Sequence, residues 1–367
     1  MTTMRHVAVA LAAAGLAVAG YGMDLCDYRT PTTNFLQGTL SFFYQHLDDP
    51  ATPGPDTSMG WLTLDAQRQY ITVREGLALG GSGELRFHNL SLARASVSTA
   101  GTLRQYVGAA LPYFTFGGFE ASLNTANPFP RLEAQAGLGY GRFYDVTPLA
   151  KALRIEERLL TRGIVPVALP NAVVLAMAEA IGQPDEAVPV GDRVTTVVRL
   201  VEEKLRGNLD AAAVLMIEEI ITGKGQERFC GWTVQAGLAY ELLDPRGGPR
   251  DFLFSLELDA ALAPEPNSQL LLKAKIAGPY WIADQHTLTL DMTFDHRLND
   301  ITDFRARYTL RQDKPRGQAP AGIQSAVFHL RFNLGWIGVA LQMEFSKLAE
   351  APAWTQNVVI TATANLW

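Results

Sequence analysis

The chain has 367 residues, 48% of them hydrophobic and 19% charged, with a formal net charge of −6 at pH 7. That length accommodates a large fold, and the mild acidity supplies no basic footprint, so nucleic acid is excluded as a partner. No uncharged apolar run reaches the ~20 residues of a membrane-spanning helix, which excludes a helical membrane protein.

Residues 1–19 read as a secretory signal. Arg5 and His6 give a positively biased start, residues 7–16 are rich in Ala, Val and Leu, and Ala17-Val18-Ala19 makes a small-x-small cleavage site before Gly20. Cys26 follows Leu25, not the small residue that precedes a lipidated cysteine, so export without a lipid anchor is expected. From Phe35 the chain alternates, with Leu36, Leu40 and Phe42 set against Gln37, Thr39 and Ser41. A polar loop at 48–58 comes next, then weaker strands at 61–74 and 85–97, and further strands at 103–110, 113–123 and 132–140. That makes six, forming the first part of a sheet protein over residues 20–146.

At Thr147 the apolar period changes from two to about 3.6. Thr147 and Pro148 read as N-cap and first turn, and Leu149, Leu153 and Leu160 begin an apolar stripe that ends at Gly163. Helical segments at 170–181, 192–205 and 210–222 follow, stopped by Gly182, Gly207 and Gly223. Residues 147–225 are therefore an insert of four short amphipathic helices, a bundle that belongs in water.

Period two returns for residues 226–367. Trp232, Val234, Leu238 and Tyr240 oppose Thr233, Gln235 and Glu241, and Phe252, Phe254, Leu256 and Leu258 oppose Asp251, Ser255, Glu257 and Asp259. Residues 270–276 follow; then Leu288, Leu290, Met292 and Phe294 oppose Thr289, Asp291, Thr293 and Asp295. Phe304, Ala306, Tyr308 and Leu310 oppose Arg305, Arg307 and Arg311, and Phe328, Leu330 and Phe332 oppose His329 and Arg331. Residues 337–345 and 358–366 close a set of eight.

An alternating sheet has two readings. A soluble sandwich packs its apolar faces together; a membrane barrel turns them to lipid and keeps the charges inside. Fourteen strands, or twelve if weak ones fail, suit a closed all-β transmembrane antiparallel barrel, and the even number satisfies the bacterial rule. If the last strand ends in the periplasm, the insert lies on that side. Connections at 48–58, 243–250, 311–323 and 347–354 then fall outside, and those at 110–113, 263–268 and 333–336 inside. All six tryptophans sit at strand ends, Trp61, Trp281 and Trp354 at the outer rim and Trp232, Trp336 and Trp367 at the inner, as an aromatic girdle requires.

These features, together with a final strand at 358–367 ending on Trp367, resemble the bacterial outer-membrane β-barrel class. The resemblance covers most of the chain apart from the insert. It implies the outer membrane of a diderm bacterium, outer-membrane lipid around the wall, and the barrel-assembly machinery as the partner that reads the last residue. Here the apolar set Ile360, Ala362, Ala364 and Leu366 falls on the face opposite to Trp367.

The expected lumen lining alternates in sign from strand to strand: Glu257 and Asp259; Lys273 and Lys275; Asp291 and Asp295; Arg305, Arg307 and Arg311; His329 and Arg331; then Glu344. Opposite charges on neighbouring strands can pair and brace the wall, or they can line a pore and select solutes. Bracing with some water-filled passage is the expectation. Cys26 and Cys230, the only cysteines, both fall at the inner rim, where a disulfide would anchor the N-terminal segment beside the insert.

Enzyme motifs are poorly represented. The six histidines show no metal-ligand spacing, no Gly-x-Ser-x-Gly occurs, and the alternate glycines Gly137, Gly139 and Gly141 suit small lumen-facing positions or a bend better than a phosphate cradle. No cofactor, metal or catalytic residue is expected. Three functions stand: porin-like passive or partner-assisted passage of small solutes; a barrel that anchors a periplasmic insert docking a protein or the cell wall; and, weakest, a rim-site lipid hydrolase.

Overall fold

The computed structural model describes residues 23–29, 33–47, 57–89, 91–108, 111–125, 127, 129–183, 188–223, 227–243, 252–279, 281–299, 301–334, 337–348, 351 and 353–364. The signal segment, most of the loops at 48–58 and 243–250, Trp336 and Trp367 lie outside the described residues.

Six strands precede the helices: β1 (Thr33–Leu47), β2 (Thr57–Ile71), β3 (Glu75–His88), β4 (Ser91–Tyr106), β5 (Tyr113–Asn124) and β6 (Arg131–Asp145). Eight follow: β7 (Phe229–Leu243), β8 (Phe252–Leu262), β9 (Ser268–Gly278), β10 (His286–Arg297), β11 (Thr302–Lys314), β12 (Ala321–Leu334), β13 (Ile337–Leu348) and β14 (Thr355–Ala364). All belong to one 14-stranded sheet in strict chain order, each strand hydrogen-bonded antiparallel to its sequence neighbour. This is the up-and-down strand order of an antiparallel β-barrel wall. Strands of 10 to 16 residues are long enough to cross a bilayer with tilt.

The strand number matches the sequence reading, but two boundaries do not. Residues 85–97 are not one strand: β3 runs to His88 and β4 begins at Ser91, with the turn between them placing Asn89 at φ 49°. The first half of β3 was hidden because Gly80, Gly81, Ser82 and Gly83 carry no alternation. Residues 103–106, expected to start a separate strand, finish β4.

Which face points inward follows from two contacts. Arg104 on β4 reaches Asp259 on β8 at 3.5 Å, and Lys275 on β9 reaches Glu120 on β5 at 2.6 Å. Each pair joins strands four places apart, about 19 Å along a sheet with ~4.8 Å between strands, farther than two side chains span together. The polar face is therefore concave and the apolar face convex. Burial agrees: Thr233 and Gln235 are 1% and 4% exposed, while their neighbours across the backbone include Leu238 at 59%, and Leu138 on β6 stands at 67%. In water such an arrangement would be inverted; in lipid it is the favourable one.

The insert folds as α1 (Thr147–Thr161), α2 (Asn171–Ile181), α3 (Val190–Leu205) and α4 (Ala211–Thr222). Thr147 is the first helical residue and not the cap; its backbone N–H donates to Asp145 Oδ1 at 2.9 Å, and its hydroxyl accepts from the Arg228 N–H at 2.8 Å. Asp210 caps α4 by accepting from Ala213 N–H at 2.8 Å. Leu149, Leu153, Ile155 and Leu159 of α1 pack with Met177, Val197, Val201 and Ile217 of the other helices. The same core takes in Leu25 of the N-terminal segment, Cys230 at the foot of β7 and Ala263 in the β8–β9 turn. The bundle is thus seated on the barrel end that carries the short turns. No helix among the described residues is long and apolar enough to cross a membrane.

Candidate functional site

Among the described residues the sheet gathers charged groups from many strands on its lumen face, and the two sides of the lumen differ. Along β4 to β9 the wall bends tightly and is stitched across. Arg104, whose side chain is 14% exposed, also donates to Gln235 Oε1 at 3.1 Å, and Gln235 in turn donates to Glu257 at 2.8 Å. Glu120, Glu133 and Glu241 stand in one row across β5, β6 and β7. Like charges directly opposite repel; here Lys275 takes Glu120, and Arg131 meets Glu133 at 2.7 Å and Glu241 at 3.9 Å.

Below the stitching lies a small aromatic cluster. Tyr106, Phe114 and Phe116 are nearly fully buried on the lumen side, their rings edge to face at 5.4 and 6.5 Å. They fit because Gly137 and Gly139 of β6 and Gly237 of β7 have no side chain: a Cβ at Gly139 would land on the Phe114 ring, and one at Gly237 within 2.7 Å of Phe116. Arg104 lies 5.2 Å over Phe114, and Arg142 4.0 Å over Tyr106. Arg142 also donates to Val73 O of the β2–β3 turn at 2.8 Å, tying the inner rim across.

The β9–β12 side is open. Asp295 pairs with Arg305 and Asp291 with Arg307 between β10 and β11, Arg311 meets Asp313 at 3.1 Å, and Arg331 meets Asp303 at 3.4 Å. The four arginine side chains remain more than half exposed, at 56–64%. Of the four, Arg311 lines a recess of about 370 Å³, together with Glu257, Lys273, Lys275 and Asp291 among others. His329 and Glu344 share this face by register, opposite Arg305 and Val327.

Of the charged residues singled out in the sequence, Asp259 and Lys275 join the cross-lumen stitching, Glu257 joins through Gln235, and the rest line the open side. Sequence reasoning missed Arg104, Glu120, Arg131, Glu133, Gln235 and Glu241, together with the aromatic cluster. Parity within β4 to β7 carried the signal, since Arg104 and Tyr106, or Glu133 and Gln135, share a face.

The tryptophans separate. Trp232 stands on the lipid face near the inner rim in a row with Tyr140 at 5.5 Å, which contacts Tyr113 at 4.9 Å. Tyr240 and Phe252, at 4.7 Å, mark the outer end of the same wall. The eight residues from Trp232 to Tyr240 span about 27 Å along the strand, or about 21 Å across a membrane at barrel tilt, close to the ~25 Å apolar band of such proteins. Trp281 and Trp354 lie in outer-end loops. Trp61 is not in the girdle: it is in register with Arg86 and two residues from Thr63, on the lumen face, because odd positions of β2 point inward.

At the mouth that carries the helical insert, Cys26 and Cys230 are joined by a disulfide with Cα atoms 5.2 Å apart. Arg29 lies 4.1 Å over Tyr144. Burial raises the Tyr28 phenol to about 12, with Glu179 and Asp145 adding to the shift. Arg154 of α1 and Arg228 are almost fully buried where bundle meets barrel. Burial lowers both guanidiniums, and Arg228 and Arg297 add like charge at Arg154. Lys151 donates to the carbonyls of Ile221 and Gly223 at 2.7 and 3.0 Å, closing the end of α4, and burial holds it below the usual lysine range. Among the described residues no three His, Cys, Asp or Glu side chains are placed to hold a metal ion.

No protein-family model and no curated protein sequence matches this chain. Among solved structures it is similar to the translocator domain of the autotransporter NalP from Neisseria meningitidis, at 8% identity and a TM-score of 0.26, over 98% of this chain and 94% of that one. It is also similar to the CymD monoaromatic hydrocarbon channel, at 9% identity and a TM-score of 0.28, over 95% and 92%. At this depth of likeness, the fold assignment rests on the strand order and on the pairs that span the lumen.

Proposed function

We propose that this chain is an outer-membrane channel that passes small hydrophilic solutes, without catalysis, through a lumen narrowed on one side. The observation that carries the reading is the asymmetry of the interior: half-buried pairs that cross the lumen from β4 and β5 to β8 and β9, and, on β11 and β12, arginines more than half exposed, of which Arg311 lines a recess. Fixed charges facing water in a closed wall can sort solutes by size and charge. Reconstitution in planar bilayers tests this. Discrete conductance steps are expected, and the double change Glu120→Gln, Lys275→Gln should enlarge them by releasing the stitching. Silence from protein whose insertion is verified independently would overturn the proposal.

A second reading has its own support. The insert has a hydrophobic core that continues into Leu25, Cys230 and Ala263, so a partner pulling on the bundle pulls on the barrel. In this reading the barrel is an anchor, and the insert, on the periplasmic side, docks a protein or the cell wall. Crosslinking from exposed positions such as Leu215 in intact cells, with silence in bilayers, would favour it over the channel.

A further inference from the structure

Trp61 is the starting point. It is 40% exposed on the lumen face at the outer end of β2, in register with Arg86. One step inward on the same face, about 7 Å along the strand, begins a recess of about 300 Å³ lined by Thr63, Asp65, Ser82, Glu84, Ser98 and Asn124 among others. These residues come from β2, β3, β4 and β5 in one block of register: Asp65 faces Ser82, Ser82 faces Ser98, and Thr63 faces Glu84. Deeper in the same wall Gly80 leaves space, since a Cβ there would meet nothing within 4 Å.

We propose that this wall is a binding site for neutral, polyhydroxylated solutes of the size of short oligosaccharides, with Trp61 as the stacking face. The chemistry is specific in three respects. Hydroxyls both donate and accept, so the serine and threonine groups match a ligand whose own hydroxyls do the same; Ser82 Oγ and Ser98 Oγ already pair at 2.7 Å. Asp65 and Glu84 accept from sugar hydroxyls, and bonds to ionised acceptors are the strong ones. The charges also balance: the two carboxylates are matched by Arg86, which pairs with Glu84, and Arg94, which donates to Asn124 at 3.3 Å. A wall of zero net charge gives no preference to an anion or a cation. The arginine-rich β10–β12 side offers the opposite environment.

The proposal refines the channel reading by naming a solute class, but binding can be measured without transport. Titration calorimetry of the detergent-solubilised full chain with maltotriose as neutral probe, and with glucuronate and glucosamine as charged ones, tests it. Saturable maltotriose binding is expected, with neither charged probe competing. Trp61→Ala should weaken it about tenfold, the loss of one aromatic contact, and Trp61→Phe should retain most of it. Asp65→Asn, which leaves the ring in place, should also weaken it and covers the case in which Trp61→Ala does not fold. No saturable binding, equal affinity in folded Trp61→Ala and Asp65→Asn, or tighter binding of a charged probe would overturn the site. Conductance without maltotriose binding would refute the site alone; maltotriose binding without conductance would refute passage alone.

Discussion

Replacing Cys26 and Cys230 together by alanine removes the bond that ties the N-terminal segment to the foot of β7. Alanine is the right substitute because Cys230 is 1% exposed within an apolar cluster, where a serine hydroxyl would add its own desolvation cost. The bond closes a sequence separation of 204 residues, enclosing six strands and the whole insert. In the chain-entropy treatment a loop of that length withdraws about 18 cal/mol/K from the unfolded ensemble, or about 5 kcal/mol at 25 °C. Guanidinium unfolding in detergent micelles, followed by circular dichroism, should show the variant less stable by about that amount. Trypsin adds a local readout. Arg29 is stacked on Tyr144 in the native protein, and cleavage after Arg29 should accelerate in the variant. Equal unfolding midpoints with unchanged protection of Arg29 would mean that the packing of Leu25 and Tyr28 holds the segment unaided, and the entropy argument would fail.

The remaining predictions concern the wall and the insert. Gly139→Val drives a side chain into the Phe114 ring and should destabilise the barrel by about 1–3 kcal/mol, the usual cost of overpacking; Phe114→Ala in the same chain should recover part of it, read by the same unfolding assay. Ala236→Arg, on the lipid face midway between Trp232 and Tyr240, should cost about 2–4 kcal/mol. Thr309→Lys, on the lumen face of β11 in register with Asp291, should cost less than half of that. Lys151 has a lowered pKa in the folded insert, so the folded state releases its proton before the unfolded state does. Insert stability should therefore rise with pH from that lowered value up to the ordinary lysine value of 10.5. Lys151→Met should flatten the rise on the approach to pH 10.5 in thermal melts followed at 222 nm.

The second half of the barrel was legible from residues alone, because β8, β10 and β11 keep a strict alternation, with Phe252 to Leu258 and Phe304 to Leu310 apolar on every second position. The first half was harder for a physical reason. Its lumen side is built of Gly76, Ala78, Gly80 and Ala100, its lipid side includes Gly81, Gly83 and Gly101, and the ladder slips between Arg86 and Phe87 and again between Leu132 and Glu133. Small residues on both faces erase the period by which a strand is recognised, and a slip reverses the face of whatever follows. Cross-lumen pairing was out of reach for a different reason. Arg104 and Asp259 are 155 residues apart, and only the curvature of the sheet brings β4 opposite β8. The placing of Trp61 failed on parity: position along the strand was read, and the face was not.

The central claim is that the apolar face of this sheet meets lipid and the polar face encloses water. Single cysteines carrying a spin label at Leu238, Leu256 and Leu258, and at Ser255, Lys273 and Thr309, report on it in proteoliposomes through collision with oxygen, which concentrates in lipid, and with a water-soluble nickel chelate. Oxygen should dominate at the three leucine positions and the chelate at the other three, with the preference reversing between the adjacent residues Ser255 and Leu256. The reverse pattern, or no exposure to oxygen at any of the six, would contradict the account.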